Sequence, residues 1–128
     1  MKRIILIGAS GHGKVCAEIA KLTNRYNEIL FLDDNPLKKK CNGYEVVGTT
    51  NNFNEYVKDD TDFFISIGNA EIRKDIQERI IKVGGNIATL IHPNVVISCD
   101  TQIGEGTVVM AGSDINACSL IGKGWNIW

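Results

Sequence analysis

Short apolar runs separated by polar stretches fill the first two thirds of the chain. Most of these runs are continuous and rich in β-branched and aromatic residues, a pattern typical of strands buried on both faces of a parallel sheet. They occupy residues 4–7, 29–32, 63–67 and 87–91, and a weaker strand is predicted at 44–47. The pattern therefore predicts a parallel sheet of about five strands.

Two longer segments between these runs carry apolar residues at helical spacing, with charged residues between them. The apolar residues are Val15, Ile19 and Leu22 in the first segment, and Ile72, Ile76, Ile80 and Val83 in the second, which Gly84 and Gly85 end. A short helix is predicted at 52–57. Because strands alternate with helices, we expect an α/β fold class, with a Rossmann-like parallel sheet flanked by helices and right-handed crossovers.

A period of six replaces these patterns after Pro93. The repeating aliphatic residues are Ile97, Ile103, Val109, Ile115, Ile121 and Ile127. Small residues follow four positions later, at Thr101, Thr107, Ser113 and Ser119, until Trp125 interrupts the series. This is the hexapeptide pattern of a parallel β-helix, in which aliphatic side chains stack inside the coil.

The change of period divides the chain into two expected domains. Residues 1–92 would form the Rossmann-like domain, and residues 93–128 the first one to two coils of the β-helix. Solenoids usually need ~3 repeats and a terminal cap. We therefore expect this tail to be poorly protected from solvent or to self-associate.

The net charge is close to zero, with 14 Lys and Arg against 15 Asp and Glu in 128 residues. This balance argues against nucleic acid and anionic membranes as partners, because both are polyanions. No apolar run approaches the ~20 residues that cross a bilayer. The apolar stretch near the N-terminus ends at Gly8, too early for a signal peptide, and we expect a cytoplasmic protein.

The four cysteines show no pattern of a metal site. Cys16, Cys41, Cys99 and Cys118 have neither CxxC spacing nor a neighbouring pair of histidines. Such spacing also disfavours a disulfide framework. We expect free thiols and no bound metal.

A glycine-rich loop, GASGHGKV at residues 8–15, lies between the first predicted strand and the first helix. In a doubly wound sheet, backbone N–H groups at this helix N-terminus meet a phosphate. The glycine spacing does not match the dinucleotide pattern GxGxxG. A nucleotide-hydrolysing P-loop would need a hydroxyl where Val15 follows Lys14. We therefore expect phosphate binding without hydrolysis, and His12 inside the loop favours a ligand contact.

Polar residues at the ends of two further strands are expected at the same sheet edge. Asp33 and Asp34 end the second strand, where an acid accepts hydrogen bonds from a ribose or base, although both also suit a turn. Gly68 and Asn69 end a later strand, and Asn69 suits a helix N-cap. Arg73, one turn into that helix, would reach either a phosphate or solvent.

The whole ensemble resembles one enzyme family. The chain contains, in this order, the motifs GASGHGKV, FLDD, IGN followed by IR, IHP and the hexapeptides. Together they resemble the sugar acetyltransferases of the PglD/NeuD type, which modify nucleotide sugars or sialic acids. The resemblance extends from Met1 to about Gly124. It implies a Rossmann-like domain that holds a UDP-sugar or a related acceptor. A left-handed β-helix would follow, trimerise and bind acetyl-CoA in grooves between subunits.

The resemblance also implies which residues contact the substrate. It assigns Ser10, Gly11 and His12 to the phosphates, Asp33 and Asp34 to the uridine, and Gly68, Asn69 and Arg73 to further substrate contacts.

The catalytic centre of the family is expected outside this sequence. The general base is a histidine of a later coil, which takes the proton from the attacking amine or hydroxyl. By the resemblance, that histidine and the acetyl-CoA-binding coils would lie beyond Trp128. His92, directly before Pro93, better fits a capping or packing role. We expect a truncated acetyltransferase that has no catalytic residue, binds no cofactor and transfers no acetyl group alone.

Two other functions remain open. The first is a non-catalytic module that binds or senses a nucleotide sugar, or docks on a full-length homologue. The second is an NAD- or ATP-dependent protein, which the glycine spacing and Val15 disfavour.

Overall fold

The structure is a computed structural model that describes residues 2–92, and beyond them the backbone of six strands of two residues each between positions 96 and 127. The elements of the first part are β1 Lys2–Ile7, α1 Gly11–Leu22, β2 Tyr26–Leu32, β3 Lys40–Cys41, β4 Tyr44–Gly48, a 3₁₀ helix Thr50–Tyr56, β5 Thr61–Ile65, α2 Ala70–Lys82, β6 Asn86–Ile87 and β7 Leu90–Ile91.

A six-stranded sheet with the order β3-β4-β2-β1-β5-β6 forms the centre of this part. All neighbouring strands are parallel except β3 and β4. The chain leaves β1 first towards β2 and later returns to its other side with β5. A crevice for ligands opens where parallel strands diverge in this way, at their carboxyl ends. The predicted α/β class with a Rossmann-like sheet is confirmed.

Two apolar cores cover the two faces of the sheet, because successive strand residues point to opposite sides. On one face, Ile4 and Leu6 of β1 belong to the core that includes the buried side of α1. On the other, Ile5 and Ile7 belong to the core that includes α2 and Phe53 of the 3₁₀ helix. The side chains of these four residues are completely buried, which explains the unbroken apolar run in the sequence.

The apolar residues at helical spacing do not all lie on the buried faces of the two helices. Val15 and Leu22 of α1 are 36% and 47% exposed, and Ile72 and Val83 at the ends of α2 are each 49% exposed. The buried residues of α1 are Gly13, Cys16, Ala17, Ile19 and Ala20. Helix α1 lies so close to the sheet that mostly small residues fit beneath it, so the largest aliphatic residues do not mark its buried face.

The predicted strand at 87–91 is divided between two sheets. Ile87 of β6 pairs with Phe63 of β5 in the central sheet. Leu90 of β7 instead pairs with Val108, while its side chain is fully buried in the core beneath α1. The last strand of the first predicted domain therefore pairs with a strand of the second, and the division at residue 92 stays a prediction.

The strands beyond residue 92 repeat every six residues and end on the aliphatic positions of the hexapeptides. They are β8 Val96–Ile97, β9 Gln102–Ile103, β10 Val108–Val109, β11 Asp114–Ile115, β12 Leu120–Ile121 and β13 Asn126–Ile127. Each pairs in parallel with the strand 18 residues away, in the sets β7-β10-β13, β8-β11 and β9-β12. Three such sets are typical of a parallel β-helix with three faces.

The other predictions for the tail lie outside the described residues. These are the corner residues Thr101, Thr107, Ser113 and Ser119, the interruption at Trp125, and the poor protection of the tail. In the part of the chain that the structure describes, no helix is long and apolar enough to cross a membrane. Among the same residues, no group of three His, Cys, Asp or Glu side chains could hold a metal ion.

A buried polar cluster closes the edge of the sheet where β1 and β5 begin. The Tyr26 hydroxyl donates a hydrogen bond to Asp62 Oδ2 at 2.8 Å, and Lys2 Nζ lies 3.5 Å from the same oxygen. Burial, and next the hydrogen bond to Asp62, raise the pKa of Tyr26 above its usual value. The neutral phenol therefore stabilises the fold below about pH 10, the pKa of an unfolded tyrosine, and that stabilisation is lost above it.

Replacing Tyr26 with Phe is expected to lower the free energy of unfolding by about 1–3 kcal/mol near pH 7, because buried Asp62 loses a donor. The deficit should shrink above about pH 10, where the wild-type protein loses the phenol's contribution. Urea denaturation at several pH values measures both effects. Tyr44→Phe is the control, since the Tyr44 hydroxyl forms no hydrogen bond within residues 2–92. A deficit independent of pH would contradict the assignment.

Candidate functional site

Three loops meet at the carboxyl edge of the sheet, where β1, β2 and β5 end. Gly8 N donates to Leu32 O at 2.9 Å, which joins the loop after β1 to the end of β2. Ser66 N donates to Ile7 O at 2.8 Å, which joins the loop after β5 to the end of β1. The glycine loop therefore lies between the other two loops.

Two glycines of the loop are needed by the fold itself. Gly8 has φ +110°, a conformation that L side chains rarely adopt. A Cβ on Gly13 would collide with the Gly8 carbonyl oxygen and would lie 3.1 Å from the Phe31 ring. Gly13 thus permits the close approach of α1 to the strands, which also puts the first turn of α1 directly against the end of β1.

Two other glycines at the edge are not needed by the fold. A Cβ on Gly11 or on Gly68 would meet no heavy atom within 4 Å, and neither residue has a positive φ. An alanine would therefore fit at either position in the free protein. What the two glycines provide is open backbone on the solvent side, the condition for a ligand to approach it closely.

The N-terminus of α1 opens onto this edge without a side-chain cap. Ser10 is the N-cap residue, its side chain makes no capping hydrogen bond, and no acidic residue stands in the first turn. The first N–H groups of a helix have no partner within the helix and carry a partial positive charge. The amides of Gly11 and Gly13 belong to this first turn, and such a helix N-terminus suits an anion.

Asp33 links the loop after β1 to the turn after β2. Its Oδ2 accepts the Ala9 N–H at 2.7 Å, and its Oδ1 accepts the Asn35 N–H at 2.8 Å. Asp33 N also donates to Gly48 O at the end of β4. Asp33 is therefore at least a positioning residue. Because each carboxylate oxygen accepts more than one hydrogen bond, it retains capacity for a ligand hydroxyl.

Asp34 lies beside it and is exposed to solvent. Its Oδ1 accepts the Thr50 N–H at 2.8 Å, at the first residue of the 3₁₀ helix. The two adjacent carboxylates thus hold different segments: Asp33 the glycine loop, Asp34 the segment after β4. Both acids are at the edge where the sequence predicted them.

Two side chains at the start of α2 hold the loop after β5 in place. Asn69 Oδ1 accepts the Ile72 N–H at 3.0 Å, so the predicted N-cap of α2 is confirmed. Arg73 Nη1 donates to Ile67 O at 3.2 Å. This contact places the arginine on the loop backbone and provides a structural role that the sequence did not indicate.

The sequence interpretation missed Ser66. Its hydroxyl is fully buried and lies 2.9 Å from Gly8 O and 3.1 Å from Ile7 O, the carbonyl groups at the start of the glycine loop. The available signal was a polar residue inside a segment predicted as a buried strand. Strand β5 ends at Ile65, so Ser66 belongs to the loop after β5. Its hydroxyl fixes the neighbouring glycine loop.

Two buried thiols flank the glycine loop. Cys16 Sγ lies 3.7 Å from His12 Nε2, and burial raises the pKa of Cys16 to about 12, so that this thiol stays neutral. Cys41 Sγ donates to Ser10 O at 3.7 Å. Both cysteines are free, as predicted. Cys99 and Cys118 lie outside the described residues.

This edge and this fold define an α/β protein with a loop suited to a phosphate. The sequence profile of the PglD N-terminal domain matches residues 3–80, which include the glycine loop, both aspartates and most of α2. The chain belongs to this family.

Two relatives of known activity agree with this assignment. The chain is 36% identical over 114 residues to the UDP-N-acetylbacillosamine N-acetyltransferase of Bacillus subtilis, with 87% of this chain and 52% of the relative covered. It is 35% identical over 97 residues to the GDP-perosamine N-acetyltransferase of Escherichia coli O157:H7, with 74% and 42% covered. The chain thus spans about half the length of the relatives it matches.

Two solved structures share the fold. The acetyltransferase domain of PglB from Neisseria gonorrhoeae, in complex with acetyl coenzyme A, superposes with a TM-score of 0.90 at 39% identity, covering 96% of this chain and 60% of that one. A histidine-to-asparagine variant of perosamine N-acetyltransferase from Caulobacter crescentus, in complex with CoA and GDP-perosamine, gives 0.87 at 28% identity, covering 100% and 60%.

Alanine at Gly13 and at Gly11 should have different effects on stability. Gly13→Ala is expected to lower the free energy of unfolding by about 1–3 kcal/mol, because α1 must move away from the Gly8 carbonyl. Gly11→Ala is expected to change it by less than about 1 kcal/mol, because the new methyl group meets only solvent. Urea denaturation followed by circular dichroism measures both, and equal losses would contradict the two roles.

Proposed function

We propose that the carboxyl edge of the sheet binds the nucleotide-sugar acceptor of a sugar N-acetyltransferase. The observation that carries this proposal is the uncapped N-terminus of α1, which presents its amides beside the open backbone of Gly11. An anion such as a diphosphate fits this group of donors. The relatives that act on UDP- and GDP-linked sugars support the same ligand class.

Each part of the edge takes one part of the acceptor in this proposal. The amides from Ser10 to His12 bind the phosphates, and the side chains of Asp33 and Asp34 accept hydrogen bonds from the nucleoside. Gly68 leaves room for the ligand next to the loop after β5. Asn69 caps α2 through the Ile72 N–H, and Arg73 donates to Ile67 O of the loop, so both hold the shape of that loop.

The two parts of the chain have different tasks in this proposal. Residues 1–92 hold the acceptor, and residues 93–128 begin a left-handed hexapeptide β-helix that joins chains into a trimer, as the family resemblance implies. In the relatives' reaction, acetyl-CoA supplies the acetyl group, which passes from its thioester to the sugar amine while a base removes the amine proton. No side chain of residues 2–92 is assigned to CoA or to that base.

The 128-residue chain alone is therefore proposed to bind an acceptor without acetylating it. A sialic acid acceptor fits the same family. The uncapped amides favour an acceptor that carries phosphate.

Titration calorimetry with UDP-N-acetylglucosamine and GDP-mannose tests the binding proposal, with NAD and ATP as competitors from other classes. We expect at least one nucleotide sugar to bind and neither competitor to do so. Gly11→Ala should weaken that binding about tenfold, because the added methyl group occupies the approach to the amides. Gly11→Ala that binds as well as the wild type, or tight binding of NAD or ATP alone, would contradict the proposal.

Acetyl transfer by the isolated chain is tested with acetyl-CoA and a UDP-linked 4-amino sugar, by following release of free CoA thiol. We expect no release above the rate without protein. The full-length relative from Bacillus subtilis is the positive control. Turnover by the 128-residue chain would refute its proposed inactivity, while the acceptor-binding proposal would remain.

A further inference from the structure

Two lysines that are not among the predicted site residues lie near the start of α1. Lys14 lies in the first turn of α1, and Lys38 lies in the turn between β2 and β3. Both are exposed. Within residues 2–92 the ion pairs join Lys2 to Asp62 and Arg3 to Glu28, so neither Lys14 nor Lys38 has a carboxylate within 4 Å. Their charges are available to a ligand.

Backbone hydrogen bonds fix the chain at both lysines. Lys14 N donates to Ser10 O at 3.0 Å, which is the first helical hydrogen bond of α1. Lys38 N donates to Asn35 O at 3.1 Å. Asn35 N in turn donates to Asp33, whose other oxygen holds Ala9. One carboxylate thus fixes the position of the Lys38 turn relative to the loop.

The environment of Cys41 shows that the two ammonium groups act on the same region. Cys41 Sγ lies 3.7 Å from Ser10 O, at the start of α1. Burial raises the pKa of this thiol, while the positive charges of Lys14 and Lys38 act in the opposite direction. The negative charge of Asp33 also acts on this thiol and raises its pKa. Because Lys14 lies in the first turn of α1 and the segment of Lys38 is joined to the glycine loop through Asp33, both lysines lie near the loop's first amides.

The charges of such a site match a nucleoside diphosphate. A helix N-terminus carries roughly half an elementary positive charge, which is sufficient for part of one phosphate. A diphosphate that links a nucleoside to a sugar carries one negative charge on each of two phosphates, so its charge extends beyond the reach of one helix N-terminus, whereas that of a monophosphate does not. The two ammonium groups offset the carboxylates of Asp33 and Asp34 at the same edge. Without these lysines, the carboxylates would repel a diphosphate.

We propose that Lys14 and Lys38 bind the diphosphate of the acceptor and make this edge selective for nucleoside diphosphates over nucleoside monophosphates. The inference rests on the proposed function, since it assumes that the glycine loop holds the phosphates. It adds a preference for a ligand with two charged phosphates, which the backbone amides alone do not impose. Neither lysine belongs to the residues that the family resemblance assigns.

The test compares the affinities of UDP and UMP, and of GDP and GMP, for the wild type, for Lys14→Gln, for Lys38→Gln and for the double variant. Lys21→Gln is the matched control, because Lys21 is an exposed lysine in the last turn of the same helix. Titration calorimetry at two salt concentrations gives the dissociation constants. Thermal unfolding shows whether each variant is folded.

We expect the wild type to bind the diphosphates more tightly than the monophosphates. Each single substitution should raise the dissociation constant of the diphosphate about threefold to fivefold, and the double substitution about tenfold or more. In the double variant, the ratio of the monophosphate to the diphosphate dissociation constant should then fall to about one. The dissociation constant of the diphosphate should also depend less on salt, because fewer charges are paired. Lys21→Gln should leave all values unchanged.

The outcomes that overturn the proposed function differ from those that overturn this inference alone. A wild-type protein that binds neither UDP nor GDP overturns the proposed function and this inference with it. A double variant that keeps the diphosphate preference, or a Lys21→Gln variant that loses as much affinity as the others, overturns the inference alone. If a Gln variant does not fold, Lys14→Arg and Lys38→Arg keep the charge and must retain the preference.

Discussion

The carboxylate of Asp33 holds together the parts from which the site is built. It accepts the Ala9 N–H of the glycine loop and the Asn35 N–H of the following turn, at 2.7 and 2.8 Å. Hydrogen bonds to a charged group contribute about 1.5–3 kcal/mol each, so this side chain fixes two loops that belong to different strands. The position of the amides at the start of α1, and of the turn that carries Lys38, both depend on it.

Close packing of α1 on the sheet makes this arrangement possible. Gly13 lets the helix approach the Gly8 carbonyl and the Phe31 ring, and the buried side of the helix is mostly small. The uncapped end of α1 is thereby brought to the crevice between β1 and its neighbours. On the other side, Ser66 contacts the carbonyl groups of Ile7 and Gly8. The loop is therefore fixed from both of its neighbours, and the backbone of Gly11 stays open to solvent.

The connection to the second part of the chain runs through Leu90. Its side chain is fully buried beneath α1, and its backbone pairs with Val108 in a set of parallel strands outside the central sheet. One residue thus belongs to the core of the Rossmann-like part and to the first strand of the hexapeptide series. The expected division at residue 92 stays a prediction, and Leu90 links the two parts just before it.

The sequence by itself determined the features that arise from local residue patterns. The buried runs, the glycine loop before α1, the Asn69 cap and the period of six all follow from residues close together in the chain, because strand, helix and coil periods repeat over a few positions. Only the tertiary structure decided which face of α1 is buried, which amides Asp33 accepts, what Ser66 contacts and where Leu90 pairs. Each of these depends on the distance between segments that are far apart in sequence, and that distance is set by packing against the sheet.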